Sequence, residues 1–296
     1  MSERLIPARL RSRSLAPAGS GLLVELTPRD AGWQYVGFAA RQIAACEAWS
    51  GESGDDELCL VLLEGSCRVR WTGGDGRLGP RRDVFSGYPH ALYLPPGTAY
   101  AIEAEERTQV AEGRAPAVER HPARVIAPED CGFEIRGGGN ATRQIVDILP
   151  PAFRAHRLLV CEVYTPAGNW SSYPPHKHDT DNPPAEVALE EIYYYRFRDR
   201  DAYGIQRLYD PGDRDDQALT VRDGDLVPIR RGYHPFVSAY GCDAYYLNVL
   251  AGTRRSMAAS DDPRYAAFRR EWPAADPRVP LVAPPYGIDA HTGRAR

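Results

Sequence analysis

Glycine and proline occupy 27 and 26 of the 296 positions, and strong helical periodicity is scarce between them. Glycine frees φ and proline locks it, so punctuation this frequent favours many short strands joined by turns. The apolar stretches read accordingly. Residues 57–72 are an apolar run, Gly65 and then an alternating run, which predicts a β-hairpin turning at that glycine. Residues 84–104 predict two strands about a Pro-Pro-Gly turn, where Pro96 and Gly97 supply the φ values a tight turn needs. Residues 190–197 predict an aromatic strand with 204–209 as its hairpin partner, and 221–235 and 243–252 continue the same grammar. An all-β fold follows.

The strand-rich pattern occurs twice, as a degenerate internal repeat, with a weakly patterned stretch at 105–127 rich in Arg, Glu, Ala and Pro. The expected division is a domain over 1–127, a second over 128–260, and a segment over 261–296 with a short helix at 264–272 and a Pro-rich tail. The net charge of −4 is made of mixed signs, which offers no surface for nucleic acid or an anionic membrane and favours a small-molecule partner. No apolar run approaches membrane-spanning length. Arg4, Arg9, Arg11 and Arg13 are not followed by an apolar stretch before Ala18, Gly19 and Ser20, so no secretory signal is expected. Six cysteines at 46, 59, 67, 131, 161 and 242, with no CxxC spacing, read as reduced thiols of a cytoplasmic protein. Cys242 reads as packing, because no cation flanks it and Asp243 opposes thiolate formation.

Among seven histidines only His176 and His178 form a close pair. On a strand, alternate side chains share a face, so both imidazoles can serve one ion while Lys177, the only lysine, points away. A divalent cation bound by two imidazoles takes further nitrogen or oxygen ligands, for which Glu191 and His234 are candidates. Glu191 shares a face with Tyr193, Tyr195 and Phe197, where an uncompensated carboxylate would be costly. Glu190 and Glu186 are alternatives at this stage; with Glu190 as ligand, Ile192 and Tyr194 would face the pocket instead. His90, His121, His156 and His291 read as satisfied or surface histidines.

The segments 168–179, 190–195, 232–235 and 245–252 closely resemble the 5-deoxy-glucuronate isomerases of inositol catabolism, related to the 4-deoxy-threo-hexosulose-uronate ketol-isomerases of pectin breakdown. The resemblance covers essentially the whole chain. It implies a bicupin, two jelly-roll β-barrels in tandem, of which only the second keeps metal ligands: His176, His178, Glu191 and His234. It also implies a zinc or manganese ion that polarises the carbonyl of 5-deoxy-glucuronate during its conversion to 5-dehydro-2-deoxy-gluconate, a small sugar acid as partner, and a homo-oligomer. Tyr193, Tyr195 and Gln206 are the expected substrate-binding wall, the general base is unassigned, and an arginine is expected to meet the substrate carboxylate. Two departures stand out. Twelve residues separate His178 from Glu191, which predicts a loop that leaves the barrel and returns, and the turn before His234 is a stretched form of Pro-x-Gly. The rival readings are an iron-dependent cupin dioxygenase and a non-enzymatic sugar-acid-binding bicupin.

Overall fold

The computed structural model describes residues 21–212 and 214–285; Arg4, Arg9, Arg11, Arg13, residues 18–20 and His291 lie outside them. The first half folds as β1 (Leu22–Leu26), β2 (Gly37–Ile43), β3 (Ala48–Glu52), β4 (Asp56–Trp71), β5 (Gly74–Arg81), β6 (Ala91–Leu94), β7 (Ala99–Ala104), β8 (Thr108–Pro116) and β9 (Arg124–Ile126). They form one nine-stranded antiparallel sheet, in the order β1-β2-β8-β4-β6-β9, with β5 and β7 attached to β4 and β3 to β7. The hairpin expected at 57–72 is instead one strand, β4, that bends without reversing. Gly65 has φ +96°, and the register slips at Leu62/Glu64 and again at Gly65/Cys67. A single left-handed residue makes a bulge in a strand, whereas a reversal needs a complete turn. The bend lets β4 pair with β6 and β8 before it and with β5 and β7 after it. The turn before β7 forms as read, with Gly97 at φ +68°.

The second half contributes β10 (Gly132–Arg136), β11 (Arg143–Leu149), β12 (Leu159–Thr165), β13 (Trp170–Ser171), β14 (His176–Lys177), β15 (Leu189–Phe197), β16 (Tyr203–Tyr209), β17 (Asp216–Arg222), β18 (Leu226–Ile229), β19 (Phe236–Ser238), β20 (Ala244–Gly252) and β21 (Ser260–Asp261). A six-stranded sheet, β10-β11-β12-β20-β15-β18, packs across from a four-stranded one, β13-β19-β16-β17. Between them lies a core that joins Tyr193, Tyr195, Phe197 and Tyr246 to Leu208, Val221 and Phe236. β16 is therefore not the hairpin partner of β15; it pairs with β17 and β19 in the other sheet. The end of β15 is closed by the 223–225 turn, where Asp223 accepts the Phe197 N–H at 3.0 Å and Gly224 N–H donates to Tyr195 O at 2.8 Å. The expected helix at 264–272 is a short 3-10 turn, Ala266–Arg270. Each half is a jelly-roll sandwich of cupin type whose sheets do not close edge to edge. No helix among the described residues is long and apolar enough to cross a membrane.

The strand order β2-β8-β4-β6 repeats as β12-β20-β15-β18, which makes the internal repeat visible. Leu58 stands opposite Leu94 and Arg114 as Glu191 stands opposite Ile229 and Leu250, so the first half carries a buried leucine where the second carries Glu191. The halves interlock through reciprocal carboxylates on these equivalent strands. Glu57 accepts the backbone N–H groups of His156, Arg157 and Leu158, and Glu190 accepts those of Gln34, Tyr35 and Val36. The largest apolar cluster draws on both halves, and a buried Arg81–Glu162 pair at 2.8 Å crosses between them.

Candidate metal centre

The alternation of β15 decides between neighbouring carboxylates. Glu190 faces the first half, at 2.6–3.0 Å from its three backbone donors. Glu186 accepts from Lys177 at 2.8 Å and from the Asp179 and Thr180 N–H groups at 2.9 Å. Only Glu191 meets the histidines: its Oε2 lies 2.8 Å from His178 Nε2 and 3.2 Å from His234 Nε2. These three side chains, all buried, form a group able to hold a metal ion, with donor atoms within 4.8 Å of one another. His176 is adjacent rather than part of that group, with its ring 4.8 Å from that of His234 and 6.3 Å from that of His178.

The outer nitrogens explain how the rings are aimed. His178 Nδ1 is 3.1 Å from Leu189 O and His234 Nδ1 is 3.0 Å from Gly232 O. A carbonyl only accepts, so each Nδ1 carries the hydrogen, and whenever the ring is neutral its Nε2 lone pair faces Glu191. Neutral rings whose lone pairs converge on a carboxylate need a cation among them, a metal ion or a proton. Consistent with that need, His234 Nε2 is buried without a hydrogen-bond partner. Donor set and outer hydrogen bonds thus fit a divalent metal ion. Burial opposes ionisation of Glu191, but His178 and His234 hold its carboxyl below the ordinary value. Burial likewise lowers His234 and takes His176 well below its usual value, whereas Glu191 outweighs burial at His178 and raises it.

Lys177 points out of this group, its Nζ held by Asp179 at 2.6 Å, Thr180 at 3.0 Å and Glu186 at 2.8 Å. It fastens the loop inserted between His178 and Glu191, and Asp179 also accepts the Gly232 N–H at 2.8 Å, tying that loop to the turn before His234.

A cavity of about 750 Å³ opens over the inner face of the six-stranded sheet, with His176, His178 and Glu191 in its wall. Tyr193 lines it, hydroxyl to hydroxyl with Ser172 at 2.8 Å and stacked on Tyr246 at 4.2 Å. Tyr195 and Gln206 do not reach it. The Tyr195 hydroxyl donates to Gln206, whose Nε2 donates to His234 O at 2.6 Å and Pro235 O at 3.1 Å, so this buried pair holds the His234 backbone from behind. Several lining residues had not been singled out, among them Asn248, Ser172 and Arg143. Asn248 is opposite Tyr193 in register and lines the cavity; its signal was an amide on the Tyr246/Leu250 face. Ser172 lay within the His-pair segment, and Arg143 was one arginine among many.

The paired sandwiches and the buried His-Glu-His group of the second one define a cupin-type protein with a single candidate metal centre among the described residues. The chain belongs to the KduI/IolB family, whose profile matches residues 10–268. It is 41% identical over 269 residues to the 5-deoxy-glucuronate isomerase of Geobacillus kaustophilus (strain HTA426), covering 89% of this chain and 94% of that one. The 5-deoxy-glucuronate isomerase of Bacillus subtilis (strain 168) is 36% identical over 252 residues, 83% of this chain and 92% of that one. An IolB-like protein from Salmonella typhimurium LT2 superposes with a TM-score of 0.84 at 37% identity, covering 88% of this chain and 99% of that one. A Bacillus subtilis oxalate decarboxylase, at TM-score 0.56 and 13% identity over 80% of this chain and 74% of that one, shares the fold alone.

Proposed function

We propose that the chain is a metal-dependent aldose–ketose isomerase that converts 5-deoxy-D-glucuronate to 5-dehydro-2-deoxy-D-gluconate in myo-inositol catabolism. The observation that carries the reading is the buried His178–Glu191–His234 group, of which His178 and Glu191 line the cavity, in a chain 41% identical to a protein named for that activity. The reaction removes a proton from the carbon beside the aldehyde and returns one to the aldehyde carbon, with no net redox change. Zinc or manganese held by His178, Glu191 and His234, with His176 as a fourth donor, would supply Lewis acidity at the two neighbouring oxygens. The chain's own groups do the positioning. Asn248 and the Ser172–Tyr193 hydroxyl pair present hydrogen-bonding atoms to a polyol, and the stacked Tyr193 and Tyr246 rings give it an apolar wall.

The test is to measure bound metal and product formation together in wild-type protein and in His178→Ala and His234→Ala variants. Loss of both metal and conversion in the variants is expected; conversion that survives loss of the metal contradicts the reading.

A further inference from the structure

Three arginines line the cavity, and they differ in what neutralises them. Arg269 pairs with Asp261 at 2.6 Å, and Arg136 holds Glu134 through two hydrogen bonds of 2.9 and 2.7 Å. Arg143 meets no carboxylate among the described residues. Its Nη1 donates to Ala141 O at 3.3 Å and Tyr173 O at 3.1 Å, and its Nε and Nη2 make no hydrogen bond among the described residues. Yet the residue is only 3% exposed. Register makes the position worse, because Arg143 stands directly opposite Arg136 on the adjacent strand, and like charges so placed repel. Burial and the Arg136 charge pull Arg143 down to about 10, which leaves it cationic at neutral pH. A buried guanidinium without a counter-ion is unfavourable, and the fold maintains it here on the wall of the cavity that holds the metal donors. The carbonyl that anchors it, Tyr173 O, belongs to the segment leading into His176, so the guanidinium is fixed relative to those donors.

We propose that Arg143 receives the carboxylate of a sugar-acid substrate through its free Nε and Nη2 edge, and so selects acids over neutral sugars. The choice of sugar acid rests on the isomerase reading; the need for an anion at Arg143 does not. A guanidinium edge offers two parallel N–H donors that match the two oxygens of a carboxylate, whereas a neutral sugar would leave the charge unpaired.

The test uses D-gluconate and its neutral counterpart sorbitol, titrated calorimetrically into the full chain as wild type, Arg143→Met and Arg143→Lys. Wild type should prefer gluconate. Arg143→Met should weaken gluconate binding by roughly thirtyfold while leaving sorbitol unchanged. Arg143→Lys, which keeps the charge but loses the two-pronged edge, should fall between and serves as the folded reference. The proposal is overturned if wild type does not prefer the acid, if Arg143→Met binds gluconate like wild type, or if both ligands weaken equally. Turnover of 5-deoxy-glucuronate separates the two readings. An unchanged KM in Arg143→Met overturns the carboxylate role and leaves the isomerase standing; absence of turnover in metal-loaded wild type with the binding pattern intact does the reverse.

Discussion

Glu57 and Glu190 occupy equivalent strands and each caps three backbone N–H groups of the opposite half, but their surroundings make the two clamps unequal. Glu57 is fully buried and accepts four donors: the N–H groups of His156 at 2.7 Å, Arg157 at 2.5 Å and Leu158 at 2.7 Å, and the Tyr93 hydroxyl at 2.8 Å. The Leu158 and Tyr93 bonds are buried, so Glu57→Ala leaves two donors that water does not reach, each costing about 1–3 kcal/mol. Two part-buried donors add less, for a total of about 4 kcal/mol. Glu190 accepts three donors, one exposed and two part-buried, so Glu190→Ala costs about 2 kcal/mol. At about 2 °C per kcal/mol for a chain this long, calorimetry should show Tm falling by roughly 8 °C for the first variant and roughly 4 °C for the second. Equal shifts, or a larger one for Glu190→Ala, would refute the reasoning from buried donors.

Other consequences are as direct. Gln206→Ala frees the His234 carbonyl from the amide that holds it, and metal affinity measured by chelator competition should fall about tenfold with the cavity lining unchanged. Gly65→Ala puts a Cβ 2.6 Å from Arg107 O at φ +96°, and should destabilise the protein by about 3 kcal/mol in thermal unfolding; a neutral result contradicts the bent-strand account. Hydrogen bonding to Arg278 depresses the Asp276 carboxyl from 3.8 to about 2, and Asp276 also accepts from Asn169 at 3.1 Å. A depressed folded pKa stabilises fully above the unfolded value and loses that contribution as pH falls through about 2. Pepsin cleavage beyond Asp262 should therefore rise between pH 4 and pH 2 in wild type, while Asp276→Asn should already be susceptible at pH 4.

What could be read in advance followed from local rules. The His-x-His spacing and the alternation of 190–197 are properties of a strand wherever it sits, so His178 and Glu191 emerged together, and β15 carries Glu191 on the face expected. Alternation alone left Glu190 open. It is settled by the backbone donors of residues 34–36, which come from the other half. Gly65 misled because a positive-φ glycine serves a bulge or a turn equally, and the partners on either side of the bend decide which. The pairing of β16 misled for a similar reason: residues 198–202 carry the chain to the opposite sheet, so the nearest strand in sequence is not the neighbour in space. Gln206 was expected in the pocket wall, yet it bonds the backbone behind His234, a contact set by the pairing of β16 with β19. Arg143 depends on register, on Glu134 taking Arg136, and on burial, none of which composition reveals.

The most direct test of the account is anoxic turnover of 5-deoxy-glucuronate by purified protein of known zinc or manganese content, with the product followed by NMR. The account predicts conversion to 5-dehydro-2-deoxy-gluconate without oxygen, in proportion to bound metal. Fully metallated protein that forms no product, or forms one only when oxygen is admitted, would contradict it.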